Sequence, residues 1–277
     1  MALSILTNIP AVVAQEQLAG SQANLQKALF QLASGSRISS SANDAAGLSI
    51  ADSLDANVMA LNQSQQNANH GIGQMQIADG ALSQVTTLLN RAVTLATEAG
   101  TDTINSTQRV ALDTEFTAIK NEITQIGADT TFNNTSVFSA ATTSIYLSDG
   151  ITSASSSITV SVGVLSASSI GGTVDLAADN ILTDTAAQAA LWDITSAITQ
   201  IASLRGTIGS AMTRLEAATN VMGTQVQNST SAEDGISSAN LATTVADMSK
   251  YNILTQTGMA ALAQANTKQQ AVLSLLQ

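Results

Sequence analysis

The chain has 277 residues, enough for one or two domains, yet only 10% are charged and 3% aromatic, against roughly 25% charged residues in an average soluble protein. One proline, one tryptophan and no cysteine argue against a compact enzyme core and exclude disulfides and thiolate metal sites. A formal charge of -11 repels nucleic-acid phosphates and anionic lipid, so neither nucleic acid nor a membrane is an expected partner.

Residues 1–20 hold no Lys or Arg, and Ile5, Leu6, Ile9, Val12 and Val13 are interrupted by polar residues, unlike a secretory signal. No run in the chain approaches the ~18 apolar residues of a membrane span. Leu18, Leu25, Leu29 and Leu32 then recur at helical spacing and predict an amphipathic helix. From about 43 to 98 there is no proline, and Leu54, Val58, Leu61, Ala68, Ile72, Met75, Leu82, Val85, Leu89, Ala92 and Ala96 follow steps of three, four or seven. That is a coiled-coil seam on a helix of roughly 84 Å. Ser41, Asn43 and Asp44 offer oxygens to cap its start, Gly100 with Thr101 and Asp102 stops it, and a second helix is predicted over 106–126.

Between about 130 and 184 the texture changes to Ser, Thr and Gly with alternating β-branched residues, as in Ser157-Ile158-Thr159-Val160. With Asp149-Gly150 and Gly171-Gly172 as turn dipeptides, this predicts a small antiparallel insert at the tip of a helical hairpin, the alternative for so Ser/Thr-dense a segment being a partly disordered, glycan-bearing surface. It interrupts neither helical seam, so it is expected to be dispensable for assembly. The helical pattern returns at Leu191, Ile194, Ile198, Ile201, Leu204, Ile208, Leu215, Met222 and Val226. It continues through Leu241, Val245, Met248, Leu254, Leu262, Ala265, Val272 and Leu276, and Trp192 reads as a core anchor opening the long helix. The fold class expected is mainly α: a long antiparallel helical hairpin or coiled-coil bundle with paired terminal helices and a small β-rich insert. The seams are flanked by Ser, Thr, Asn, Gln and Ala rather than Glu and Lys, which suits helices packed on several sides, as in a wall built of many subunits.

Chemistry is sparse. There is one histidine, no phosphate-binding loop and no zinc-binding histidine pair, so no catalytic, cofactor or metal site is expected. His70 reads as a solvated side chain, and Gly71-x-Gly73 lacks the third glycine of a dinucleotide loop. Asn105-Ser-Thr, Asn134-Thr-Ser and Asn228-Ser-Thr match the glycosylation sequon at the rate chance allows in so Ser/Thr-rich a chain.

Two sets of motifs carry more. Leu32-Ala-Ser-Gly-Ser-Arg-Ile38, Ser41-Ala-Asn-Asp-Ala-Ala-Gly-Leu-Ser-Ile-Ala51, Asn67-Ala-Asn-His-Gly-Ile72 and Asp79-Gly-Ala-Leu82 resemble the N-terminal signature of bacterial flagellins. Ile253-Leu254-Thr-Gln-Thr-Gly-Met-Ala-Ala-Leu-Ala-Gln-Ala-Asn266 and Val272-Leu-Ser-Leu-Leu276 resemble the flagellin C-terminus. The chain departs from the family pattern at His70, where Asp is common, and at Gln277, where Arg is common.

The resemblance implies a subunit that polymerises into the flagellar filament. Residues 1–42 and 237–277 would form the filament core, 43–129 and 185–236 the helical tube, and 130–184 a short variable outer insert. Export would run unfolded through the flagellar type III apparatus to an extracellular filament. The partners implied are the chain itself, an export chaperone, and hook-junction and cap proteins. Terminal helices disordered before assembly would fold on joining, an ordering cost of ~1–2 kcal/mol per residue offset by burial between subunits. Subunit packing falls to Leu18, Leu25, Leu29, Leu32, Leu241, Val245, Met248, Leu254, Leu262, Val272 and Leu276. The resemblance also aligns Arg91, Leu95 and Glu122 with a patch bound by a Toll-like innate receptor. Val93 and Thr94 stand where Arg and Glu are frequent, which predicts weak binding. A hook-filament junction protein is the nearest alternative, and a cytoplasmic signalling coiled coil is one of a different class.

Overall fold

The computed structural model describes residues 8–149 and 156–274; Ile5, Leu6, Gly150, Leu276, Gln277 and the side chain of Val272 fall outside the described residues. The described chain is mainly α, with helices α1 (Ile9–Ser34), α2 (Ala45–Ala99), α3 (Ser106–Asp129), α4 (Asp184–Ser237) and α5 (Leu241–Ser274). Between α3 and α4 lie the short strands β1 (Thr131–Phe132), β2 (Thr135–Ser136), β3 (Thr143–Tyr146), β4 (Ser157–Val160), β5 (Leu165–Ser166) and β6 (Ser169–Ile170). They form antiparallel pairs β1-β2, β3-β4 and β5-β6.

Local chemistry sets the helix ends. Asn8 accepts the Ala11 N–H at 3.2 Å with Pro10 in the first turn of α1, and Gly35, at φ 72°, takes the left-handed position that ends it. The Asp44 carboxylate accepts the Gly47 N–H at 2.8 Å and starts α2. At the other end of α2, the Arg109 guanidinium donates to Ala99 O at 2.8 Å, in the last turn of the helix, and to Thr101 O in the following turn at 3.0 Å. Asn105 and Gln108 open α3 with a reciprocal capping box.

The chain divides into two compact units, Met1–Ala56 with Asn228–Gln277, and Asn57–Gln227. In the first, α1 and α5 run antiparallel: Asn8 Nδ2 donates to Ala265 O at 3.2 Å at one end, and Ala239 N–H donates to Gly35 O at 2.8 Å at the other. Their facing positions alternate by three and four, at Ala14, Leu18, Ser21, Leu25 and Ala28 on α1 and Thr244, Met248, Tyr251, Thr255, Gly258, Leu262 and Ala265 on α5. Small residues bring the backbones together: a Cβ at Gly258 would stand 3.3 Å from Leu18 Cδ1.

In the second unit the 57–99 part of α2 and the 184–227 part of α4 are antiparallel, joined by Arg205 to Asp79 at 2.7 Å and Gln65 to Thr219 O at 3.4 Å. Buried Leu61, Ala68, Met75, Leu82, Leu89 and Ala96 on α2 step by seven, as do Ala187, Ile194, Ile201, Ile208, Leu215 and Met222 on α4. Phe116, Ile119 and Ile123 bring α3 onto the same core.

The 130–184 segment carries the small antiparallel pairs, and its Val137, Phe138, Ile145, Leu147, Ile158, Val160, Val162, Leu165, Ile170, Leu176 and Ile181 are buried in the core that α2, α3 and α4 build. One expectation needs correction: Trp192 is no core anchor, being 74% exposed. The buried row on α4 passes through Ala190 and Ile194, and a residue two places from Ala190 is turned about 200° away on a helix of 3.6 residues per turn.

Candidate assembly surface and helix-end clasp

The first unit has almost no apolar core of its own. Among its described residues the buried apolar side chains are Ala28, Ile38 and Ala51. Ile9, Val12, Val13, Leu29 and Phe30 on α1, and Leu241, Val245, Ile253, Leu254 and Met259 on α5, are instead 42–63% exposed. Amphipathic helices normally turn such side chains inward, and exposed apolar surface of this extent marks an interaction face.

The residues expected to pack between subunits thus divide. Leu18, Leu25, Leu32, Met248 and Leu262 are half-buried within the chain, Leu18, Leu25, Met248 and Leu262 at facing positions of the α1–α5 pair. Leu29, Leu241, Val245 and Leu254 are exposed; Val272 lies on α5 and Leu276 beyond the described residues. Ile9, Val12, Val13, Phe30, Ile253 and Met259 belong to the exposed set as well. Leucine spacing alone passes over them, although their departure from the three-and-four seam was visible in the sequence.

The connectors between helices hold the most polar detail in this unit. Arg37 N–H donates to Ser237 O at 2.7 Å, and its guanidinium donates to Ile236 O through Nε at 3.1 Å and Nη2 at 2.9 Å. Nη2 also lies 3.3 Å from Asp44 Oδ2. The Gly47 N–H, above all, and the Arg37 guanidinium hold the Asp44 carboxyl below its ordinary range. Ser36 bridges to Ser238, and Gln31 Nε2 donates to Arg37 O at 2.7 Å. A Cβ at Gly47 would stand 2.8 Å from Asp44 Cγ and 3.0 Å from Ile38 Cδ1, so any larger residue there would displace the capping carboxylate. The Gly35-to-Gly47 motif is thus read by the fold as a set of helix caps.

The three positions aligned with a receptor patch lie in the second unit, and they differ in accessibility. Leu95 is 0% exposed, within the core. Arg91 makes a bidentate pair with Glu115 of α3, at 2.7 and 3.0 Å, which holds the Glu115 carboxyl down. Glu122 is exposed. His70 is exposed, and no group of three or more metal-binding side chains occurs among the described residues. No helix among them is long and apolar enough to cross a membrane.

Family comparison agrees with this arrangement. Residues 5–143 match the bacterial flagellin N-terminal helical region, and residues 191–276 match the bacterial flagellin C-terminal helical region. A flagellin of Halalkalibacterium halodurans is 32% identical over 269 residues, covering 97% of this chain and 98% of the relative. The flagellar filament 30.7 kDa core protein of Treponema maltophilum is 28% identical over 279 residues, with 97% and 98% covered. A crystal structure of Bacillus cereus flagellin aligns with a TM-score of 0.49 and 28% identity, over 56% of this chain and 88% of that one. With both helical regions matched and full-length relatives at this identity, the chain belongs to the bacterial flagellin family.

Proposed function

We propose that this flagellin works as the structural subunit of the flagellar filament used for swimming, with the α1–α5 pair as the part that polymerises. The observation that carries the reading is the exposed apolar set on that pair, from Ile9 to Phe30 and from Leu241 to Met259. Full burial of such a side chain is worth about 1.5–3 kcal/mol, and with 42–63% of each exposed the isolated chain leaves roughly half of that for neighbouring subunits to supply. The exposed Leu29, Leu241, Val245 and Leu254 make direct inter-subunit contacts, while Leu18, Leu25, Met248 and Leu262 build the pair that presents them. The role is structural rather than catalytic, the chain is exported through the flagellar type III apparatus, and α5 is the segment an export chaperone embraces. Hook-junction and cap proteins meet the same terminal pair.

Deleting residues 239–277 tests this. The truncated chain is expected to keep its 57–227 unit folded, to form no filaments after seeding in negative-stain microscopy, and to lose the host's flagellar chaperone in pull-downs. Filaments of normal length from the truncated chain would refute the role of the pair. Binding of a Toll-like receptor is expected to be weak, because Leu95 is buried and Arg91 is held by Glu115, leaving Glu122 as the free member of the aligned trio.

A further inference from the structure

Arg37 occupies a place where four kinds of constraint meet. Its backbone N–H closes on Ser237 O at 2.7 Å, next to the Ala239 N–H to Gly35 O bond at 2.8 Å, so the connector after α1 and the connector before α5 are paired like a short piece of antiparallel sheet. Its side chain turns onto the last turn of α4, where Nε and Nη2 share Ile236 O. That carbonyl lies at the negative end of the α4 dipole, where a cation is favoured. The same Nη2 reaches Asp44, whose carboxylate sits at the positive end of α2 and accepts the Gly47 N–H. The charges therefore alternate without a break: α4 C-terminus, Arg37, Asp44, α2 N-terminus.

We propose that Arg37 is the positioning residue of assembly, a clasp that locks both connectors and the ends of α2 and α4 into one arrangement, so that α1 and α5 order together as a pair. The inference rests on the reading of the chain as a filament subunit. The planar guanidinium suits the task because two donors fixed in a fork reach one carbonyl while one of them also meets a carboxylate. A lysine ammonium keeps the charge and loses the fork. Asparagine at position 44 keeps the helix cap and loses the charge, which separates Asp44's two roles.

The test uses the full chain with Arg37→Ala, Arg37→Lys, Asp44→Asn and the Arg37→Ala, Asp44→Asn double variant. The concentration of subunit left unpolymerised after seeding is read by sedimentation, and the 57–227 unit is checked by thermal unfolding. Arg37→Ala is expected to raise the unpolymerised concentration about tenfold, the size of losing one charge-assisted hydrogen bond. Arg37→Lys should recover part of that, and the double variant should be little worse than Arg37→Ala alone, since both changes break one network. The thermal transition of the second unit should not move. Amide exchange on seeded filaments gives a second readout: the amides of residues 37 and 239 should be protected in wild-type filaments and lose protection together in those that Arg37→Ala still forms. An unchanged unpolymerised concentration in Arg37→Ala, full equivalence of Ala and Lys, or unprotected Arg37 and Ala239 amides in wild-type filaments would each overturn the clasp. A wild-type chain that never polymerises but shows the paired protection, lost in Arg37→Ala, would keep the clasp and overturn the filament reading instead.

Discussion

Lys120 and Asp179 show how a nearly charge-free core treats the charges it does enclose. The Lys120 ammonium is buried on α3, donates to Ala177 O at 3.2 Å and Asp179 O at 2.6 Å, and lies 5.1 Å from the centre of the Phe116 ring. Asp179 is less well provided for, since its Oδ2 is buried with no hydrogen-bond partner among the described residues. Burial pushes its carboxyl above the ordinary 3.8, Asp193 and Asp175 add to the shift, and Lys120 opposes it. A carboxyl raised in the folded state favours folding fully below its unfolded pKa, and that contribution is lost as pH rises through the folded value. At neutral pH the ionised Asp179 is therefore a cost. Asp179→Asn is expected to stabilise the second unit at pH 7 by about 0.5 kcal/mol after solvent screening, or about 1 to 2 °C in melting midpoint. The gain should vanish on acidification below about pH 4, near the carboxylate reference value; a stabilisation equal at pH 7 and pH 3.5 would contradict the cause given. Trp192 and Ile194 make a second contrast, two residues apart on one helix. Trp192→Ala is expected to change unfolding free energy by less than about 0.5 kcal/mol, whereas Ile194→Ala should cost about 3 kcal/mol by leaving a cavity in the seam, both read by denaturant unfolding.

Among the elements, α3 meets the strands through a close backbone approach that only glycine permits. A Cβ at Gly127 would run into the Leu165 carbonyl of β5, with the carbonyl carbon at 2.8 Å. Neither backbone can rotate away, so Gly127→Ala is expected to destabilise the second unit by about 3 kcal/mol, near the upper end for overpacking. At Gly71 the added methyl would meet side-chain atoms alone, Ile145 Cδ1 and, at 3.0 Å, Cγ1. Buried Ile145 must shift to make room, and the gain of about 1 kcal/mol from replacing glycine in a helix offsets part of that cost, so Gly71→Ala should destabilise by about 1 kcal/mol, less than Gly127→Ala. Equal melting points for the two variants would show that the strands, and not the side chains, give way. The β1-β2 hairpin turns on Asn133 and Asn134, both at positive φ. Asparagine tolerates that region better than most residues, which accounts for a two-residue turn without glycine. The Asn134-Thr-Ser sequence is thereby occupied as a turn and strand, a reason for its residues that glycosylation does not need.

For the molecule as a whole, the two units carry different thermodynamic loads. The 57–227 unit encloses its own core, and the 130–184 segment is part of that enclosure. Replacing 130–184 with a short Gly/Ser linker is therefore expected to expose the α2, α3 and α4 core and to abolish the cooperative thermal transition, the reverse of what its place outside the helical seams suggests. A deletion variant that still melts cooperatively and polymerises would restore the view of a dispensable insert. The other unit leaves the apolar set from Ile9 to Phe30 and from Leu241 to Met259 42–63% exposed, and so draws much of its stability from whatever covers them. That division explains a chain with few charges and little aromatic content: many moderate, uncharged helix faces are compatible with repeated contact between copies, where buried ions would demand exact partners.

Periodicity made the helices legible because a seam repeating every seven residues admits few other readings. The predicted 43–98 helix is α2, the 106–126 helix is α3, and the Asp44 cap lies at the expected position. The motifs around Gly35, Asp44 and Gly47 carried the family resemblance together with those over 253–276, and in the structure they serve as an ordinary glycine C-cap and Asp N-cap. What periodicity does not carry is the identity of the neighbour. Leu18 and Leu29 have the same chemistry and the same helical phase class, yet one faces α5 and the other faces water. Trp192 looked like an anchor because it is large and apolar, but only the packing of α4 showed that it stands 74% exposed among the described residues. The Ser/Thr strands hid their buried rows for the same reason: alternation tells that a strand has two faces, and only the helices packed against it decide which face is covered.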